Sequence, residues 1–301
     1  MRNPRGEAMD LLGGDFEARV LEPSPPAVSE PPFSDDPVAP GEVPEGRRLV
    51  SPVSDHGDLT WDEVARERHE IAGWCADRWL GAWRPLRPLP EGFASSRAAL
   101  HRVAEEVVAP ARLPENEIAL RFTVGGFGTP YYELDGLDCQ TRVEGTELVQ
   151  QRGPQEERRP LDGSLLEGLP AVDAACAAAL GELYGFACSV LEELRAEQAD
   201  EDPSPVQLWP EHFDIAFELG SEARGRRANV GVSPGDESHP RPYIYVGPWE
   251  SSIAQAGPEE VWNGDGFPGA ELGYDELLGE SDQRRLALDF LRSRFRAILQ
   301  A

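Results

Sequence analysis

Three stretches in the last hundred residues alternate apolar and polar side chains with a period of two, and that alternation constrains the fold more than any other feature. In 212–219, Phe213, Ile215, Phe217 and Leu219 form an unbroken apolar set. Successive side chains of a strand point to opposite faces, so these four are expected to be buried while His212, Asp214, Ala216 and Glu218 share the other face. In 228–233, Ala228, Val230 and Val232 are apolar against Asn229, Gly231 and Ser233. In 242–246, Ile244 and Val246 face inward and Tyr243 and Tyr245 join the polar side.

If these strands form an antiparallel meander, the end of the second lies beside the start of the first and of the third. The connecting loop, Ser233-Pro234-Gly235-Asp236-Glu237-Ser238-His239-Pro240, then overhangs that same corner. His212, Asp214, Ser233, Asp236, Glu237, His239, Tyr243 and Tyr245 are therefore expected to converge.

Upstream, Thr60 with Glu63 fits a capping box, and Trp61, Val64, Ile71, Cys75, Trp79 and Trp83 recur at helical spacing until Pro85. A second helix is expected over 96–109, ended by Pro110, then a strand over 117–124 with Ile118, Leu120, Phe122 and Val124 inward. Gly125 to Pro130 reads as a turn. Strands over 139–143 and 148–152 are joined through Glu144-Gly145-Thr146, a hairpin signal. A long apolar helix follows over 171–197, and Ser281 is expected to cap a last helix burying Leu288, Leu291, Phe295 and Ile298. The order α-α-βββ-α-βββ-α indicates an α+β fold with a mainly antiparallel sheet packed by helices. Its halves, 58–160 and 161–301, read as a pseudo-duplicated αβββ unit, with one continuous six-stranded sheet as the alternative.

Residues 1–57 carry ten prolines among acidic residues and few large apolar groups, so ordering them would cost entropy with little burial in return. They read as a disordered arm ahead of one globular domain, 58–301, and as a passive extension or a tail that recruits a protein partner. The chain has 28 basic residues, all Arg, against 55 acidic ones, a net charge of -27 that disfavours nucleic acid and anionic membrane as partners. No run approaches the roughly 18 apolar residues of a spanning helix, and 1–12 lack the apolar core of an export signal, so the expected compartment is the cytoplasm. Cys75, Cys139, Cys176 and Cys188 show no zinc or redox spacing and read as reduced core thiols.

Chemistry is expected at the corner beneath the 233–240 loop. Its aromatic and polar groups suit a small-molecule pocket, with Ala216 and Gly231 leaving room and Tyr243, Tyr245, Trp209 and Trp249 as walls. Two imidazoles with carboxylates also match the ligand set of a metal-dependent hydrolase or lyase, in which His212, Asp214 and His239 hold the ion and Asp236 or Glu237 moves protons. The structural alternative is that Ser233 and Asp236 merely satisfy backbone amides of a turn. No cofactor is indicated by any motif.

The blocks Trp209-Pro210-Glu211-His212-Phe213-Asp214, Ser233-Pro234-Gly235-Asp236 and Pro242-Tyr243-Ile244-Tyr245 resemble those of a domain-of-unknown-function family found chiefly in actinobacteria. The resemblance spans about 206–300 and implies a cytoplasmic actinobacterial protein without assigning an activity or a catalytic residue. Members of that family carry Ser or His before Phe-Asp, which speaks against His212 as an obligatory metal ligand.

Overall fold

A computed structural model describes residues 19–20, 84–111, 118–123, 125–129, 132–134, 137–152 and 155–301. The helix expected over 60–83, Cys75 and most of the 1–57 arm lie outside the described residues. Within the arm, Arg19–Val20 (β1) pairs antiparallel with Tyr132–Leu134 (β4).

The architecture is α+β with antiparallel pairing throughout. Helix α1 (Phe93–Val103) continues through a π-helical turn, Ala104–Val108, into Ala109–Ala111. Pro110 is thus inside the last turn instead of ending the helix. The first sheet contains β2 (Arg121–Thr123), β3 (Gly126–Gly128), β4, β5 (Leu137–Glu144), β6 (Glu147–Arg152) and β7 (Gln155–Pro160). The second runs β12-β11-β10-β9-β8, built from β8 (Gln207–Trp209), β9 (Asp214–Leu219), β10 (Ala228–Ser233), β11 (Tyr243–Pro248) and β12 (Ala270–Gly273). Leu120 and Leu208 exchange both backbone hydrogen bonds at 2.8 Å, so the two sheets meet edge to edge.

The long helix α2 (Ala174–Glu197) begins where the Asp173 side chain accepts from the amides of Ala175 and Cys176, satisfying two of the first-turn donors. It crosses the junction of the sheets, packing on β2, β3, β9 and β10, with Leu180, Leu183, Tyr184, Phe186, Ala187, Val190, Leu191 and Leu194 buried. Its segment Ala174–Arg195 is long and apolar enough to cross a membrane, but it lies mostly inside the protein. Two short helices, α3 (Ser251–Ala256) and α4 (Tyr274–Gly279), flank β12. Helix α5 (Gln283–Gln300) closes the layer over β11 and β12, and its cap is Asp282, which accepts from Arg285 N at 3.1 Å, where Ser281 was expected.

Two further expectations are corrected. The strand near 117–124 does not alternate: Leu120, Arg121, Phe122 and Thr123 are all buried, because β2 is covered on both faces. Gly125 to Pro130 is not merely a turn, since Gly126–Gly128 is a strand between β2 and β5. A Cβ at Gly126 would lie 2.2 Å from the Val143 carbonyl oxygen, so the glycines permit a close approach to β5.

Candidate functional site

The inward set expected on β9 is realised, but the outer positions Asp214 and Ala216 are buried as well. Phe213, Ile215, Phe217 and Leu219 are buried in the core with the helices, and β9, β10 and β11 form the expected meander. Ala216 pairs with Gly231, Gly231 with Tyr245, and Tyr245 with Glu271, making one row across the outer face. Ile215 pairs with Val232 and Ser233 with Tyr243, which puts Asp214, Ser233 and Tyr243 at the same end of the sheet. Trp209 pairs directly with Asp214.

His212 departs from expectation. It is exposed in the turn between β8 and β9, where the amides of His212 and Phe213 both donate to the Trp209 carbonyl, at 3.2 and 2.6 Å. The strand starts only at Asp214 because Phe213 is left-handed, with φ of 56°. That conformation is rare for a bulky side chain and costs about 1–3 kcal/mol. Several contacts hold it: the Tyr184 hydroxyl donates to the Phe213 carbonyl at 2.6 Å, and the Phe213 ring stacks on His101 at 5.0 Å. Phe127 and Tyr184 meet the same ring edge-on at 5.1 and 5.7 Å, and His101 Nε2 donates to the Pro210 carbonyl at 2.7 Å.

The next residue, Asp214, is only 7 % exposed. Its Oδ2 accepts from the Tyr245 hydroxyl, while its Oδ1 is buried without a hydrogen-bond partner. Burial holds the Asp214 carboxyl above the usual carboxylate range. The Tyr245 hydrogen bond, the His212 imidazole and the residue's own backbone amide oppose that shift, and Glu211 adds to it. Burial and the Asp214 charge together push the Tyr245 hydroxyl well up. To reach Asp214 the hydroxyl end of the Tyr245 ring lies over Gly231, where a Cβ would come within 2.6 Å of Tyr245 Oη and 2.8 Å of Ala216 Cβ. The room expected above Ala216 and Gly231 is therefore filled by Tyr245.

The overhanging loop is largely self-satisfied. Ser233 Oγ accepts from Gly235 N at 3.1 Å, and Asp236 Oδ1 accepts from the amides of Ser238 and His239 at 2.6 and 2.7 Å. These are the turn roles that the structural alternative assigns to Ser233 and Asp236. Glu237 is exposed. His239 turns toward β12, with Nε2 3.7 Å from Glu271 Oε2, Nδ1 4.0 Å from Asp236 Oδ1 and its ring 5.0 Å from that of Tyr243. Among the described residues no three His, Cys, Asp or Glu side chains gather as a metal site, so His212, Asp214 and His239 do not meet as a ligand set. Trp249 is also displaced: it follows the far end of β11 and donates to Asn229 Oδ1 at 2.9 Å, leaving Trp209 as the tryptophan beside Asp214.

Several site residues were missed from sequence. Arg97 is 8 % exposed with one terminal nitrogen buried and unpartnered, and burial lowers its pKa against the fields of Asp236, Tyr184 and Glu237. Its signal was legible, since Arg97 lies four residues after Phe93 and three before Leu100 on the apolar stripe of α1. Tyr184 likewise follows Leu180 by four. Glu271 and Phe267 gave no signal, because the short edge strand β12 interrupts a Gly-rich stretch.

A depression of about 250 Å³ lies elsewhere, between Leu86, Pro88, Pro90, α2 and Tyr274. Its Arg87 and Glu182 are engaged with each other, and the Tyr274 hydroxyl donates to the Arg87 carbonyl at 2.7 Å. No family model, curated protein or solved structure matches this chain, so the chemistry of the corner rests on its own geometry.

Proposed function

We propose that the protein binds a small polar ligand at the corner formed by the β8–β9 turn, the 233–240 loop and the outer face of β11, with Asp214 as the anchoring group. The reading is carried by one conjunction: a buried carboxylate oxygen without a donor directly follows a residue in a strained backbone conformation. Leaving a buried acceptor unpaired costs about 1–3 kcal/mol, more for a charged group, and native structures retain few such groups. Strain and an orphaned acceptor at consecutive residues support a site that is completed by a bound molecule. Tyr245 fixes the orientation of the carboxylate, Trp209 and Tyr243 flank it, and the Tyr184 and His101 contacts hold the turn that aims it.

Thermal-shift screening of wild type and Asp214→Asn with one library of small polar compounds tests this reading. Compounds that raise the melting temperature of wild type are expected to lose that effect in the variant. Hits that stabilise both proteins equally would place binding elsewhere.

A further inference from the structure

We propose that the ligand of this corner is a small organic cation carrying an N–H, an amine, amidine or guanidine, received by Asp214 Oδ1 beside the aromatic row of β11; this rests on the reading of Asp214 as a ligand anchor. The polarity follows from what the site lacks. A carboxylate oxygen accepts and cannot donate when ionised, and Tyr245 already occupies Oδ2, so the unmet requirement at Oδ1 is a donor. A charged N–H donor would also neutralise a buried carboxylate, giving the stronger, charge-assisted bond.

The surroundings favour the same sign. Four rings run in a row over the outer face: His239 to Tyr243 at 5.0 Å, Tyr243 to Tyr245 at 6.1 Å, and Tyr245 to Phe267 at 6.4 Å. Aromatic faces attract organic cations by about 0.5–2 kcal/mol each. Carboxylates border the row: Asp214 at the tip of Tyr245, Glu271 opposite it across the strands, and Asp236 in the loop above. Burial raises the Tyr243 hydroxyl, its Ser233 hydrogen bond opposes that, and the fields of Asp236, Asp214 and Glu271 add to the rise. Glu211 adds to the field at Asp214 itself.

Arg97 carries the opposite sign. Arg97 acts on the loop carboxylates Asp236 and Glu237, while the charges that bear on Asp214 are those of His212 and Glu211. At Asp214 an anionic ligand would therefore meet a like charge, and a cation meets a complementary one. The net charge of -27 raises the local concentration of cations before any contact is made.

Isothermal titration calorimetry of the full chain with benzylamine, benzamidine, benzoate and tetramethylammonium tests the assignment. Benzylamine and benzamidine are expected to bind, and Asp214→Asn to weaken both by about tenfold or more. Glu211→Gln, an exposed position that leaves the core untouched, is expected to weaken them about two- to fivefold by removing the neighbouring charge. Tetramethylammonium binding as tight as benzylamine would overturn the N–H requirement. Benzoate binding that depends on Asp214, with no amine binding, would overturn the cation assignment and leave the ligand site standing. Binding by none of the probes, or binding identical in wild type and both variants, would overturn both readings.

Discussion

The hydroxyl of Tyr184 donates to the carbonyl of Phe213 at 2.6 Å, tying the middle of α2 to the one turn of the second sheet that holds a left-handed aromatic residue. Tyr184 is fully buried, and burial pushes its hydroxyl well up, so it remains a neutral donor at any working pH. The bond fixes where β9 begins, and therefore which way Asp214 faces.

Tyr184→Phe tests that dependence. The substitution keeps the ring against Phe213 and leaves the Phe213 carbonyl without its donor, so it is expected to cost about 1–3 kcal/mol in urea unfolding. A loss below about 0.5 kcal/mol would show that the turn is held by ring packing alone.

Gly231→Ala probes the crossing of Tyr245 over β10. The new Cβ would meet Tyr245 Oη at 2.6 Å and Ala216 Cβ at 2.8 Å, and overpacking of this kind costs about 1–3 kcal/mol. The expected outcome is a lower urea midpoint together with loss of the Tyr245–Asp214 bond, visible as a changed tyrosine signal relative to Tyr245→Phe. An unchanged midpoint would mean that the tyrosine does not lie on the strand in solution.

Asp214 sets a pH dependence with a definite sign. Burial raises its folded pKa above the unfolded value of about 3.9. Between those two values the folded chain holds the extra proton, so the stability contributed by protonated Asp214 is complete below the unfolded pKa and is lost as pH rises through the folded one. Urea midpoints of wild type are expected to fall across that window more than those of Asp214→Asn. At pH 7 the variant should equal or exceed wild type. A variant weaker by about 2 kcal/mol or more at pH 7 would identify the carboxylate as a structural acceptor for Tyr245.

The thiols supply an independent check on the core. Cys139 and Cys176 are buried and Cys188 is half-buried on the core side of α2, and burial raises the thiol pKa of Cys176 and pushes that of Cys188 well up. Thiolate is the reactive form, so with Cys75 replaced by Ser these three should react with a disulfide reagent far more slowly in the folded chain than in urea. A fast-reacting thiol in the native protein would contradict the packing of α2 and β5.

Much of the second sheet was legible because its inner face is built from an unbroken set of apolar side chains, although several outer positions, Asp214, Ala216 and Ser233 among them, are buried as well. The alternation of Phe213, Ile215, Phe217 and Leu219, repeated on β10 and β11, specified the faces, the meander and the company that Asp214, Ser233, Tyr243 and Tyr245 keep. The first sheet was read less well. β2 is covered on both sides and shows no alternation, and β3 is built on glycines that carry no periodic signal.

The sequence by itself determined an antiparallel α+β fold, a long buried helix over the sheets and an outward-facing carboxylate beneath an acidic loop. Only the tertiary structure decided that His212 leaves the strand, that His239 turns to Glu271, that Tyr245 crosses Gly231 to reach Asp214, and that Arg97 and Tyr184 enclose the corner. The division has a physical cause. Periodicity reports which side of an element is buried, whereas the conformation of Phe213 and the partner of Asp214 depend on contacts between residues about 30 or more positions apart, which no local pattern records.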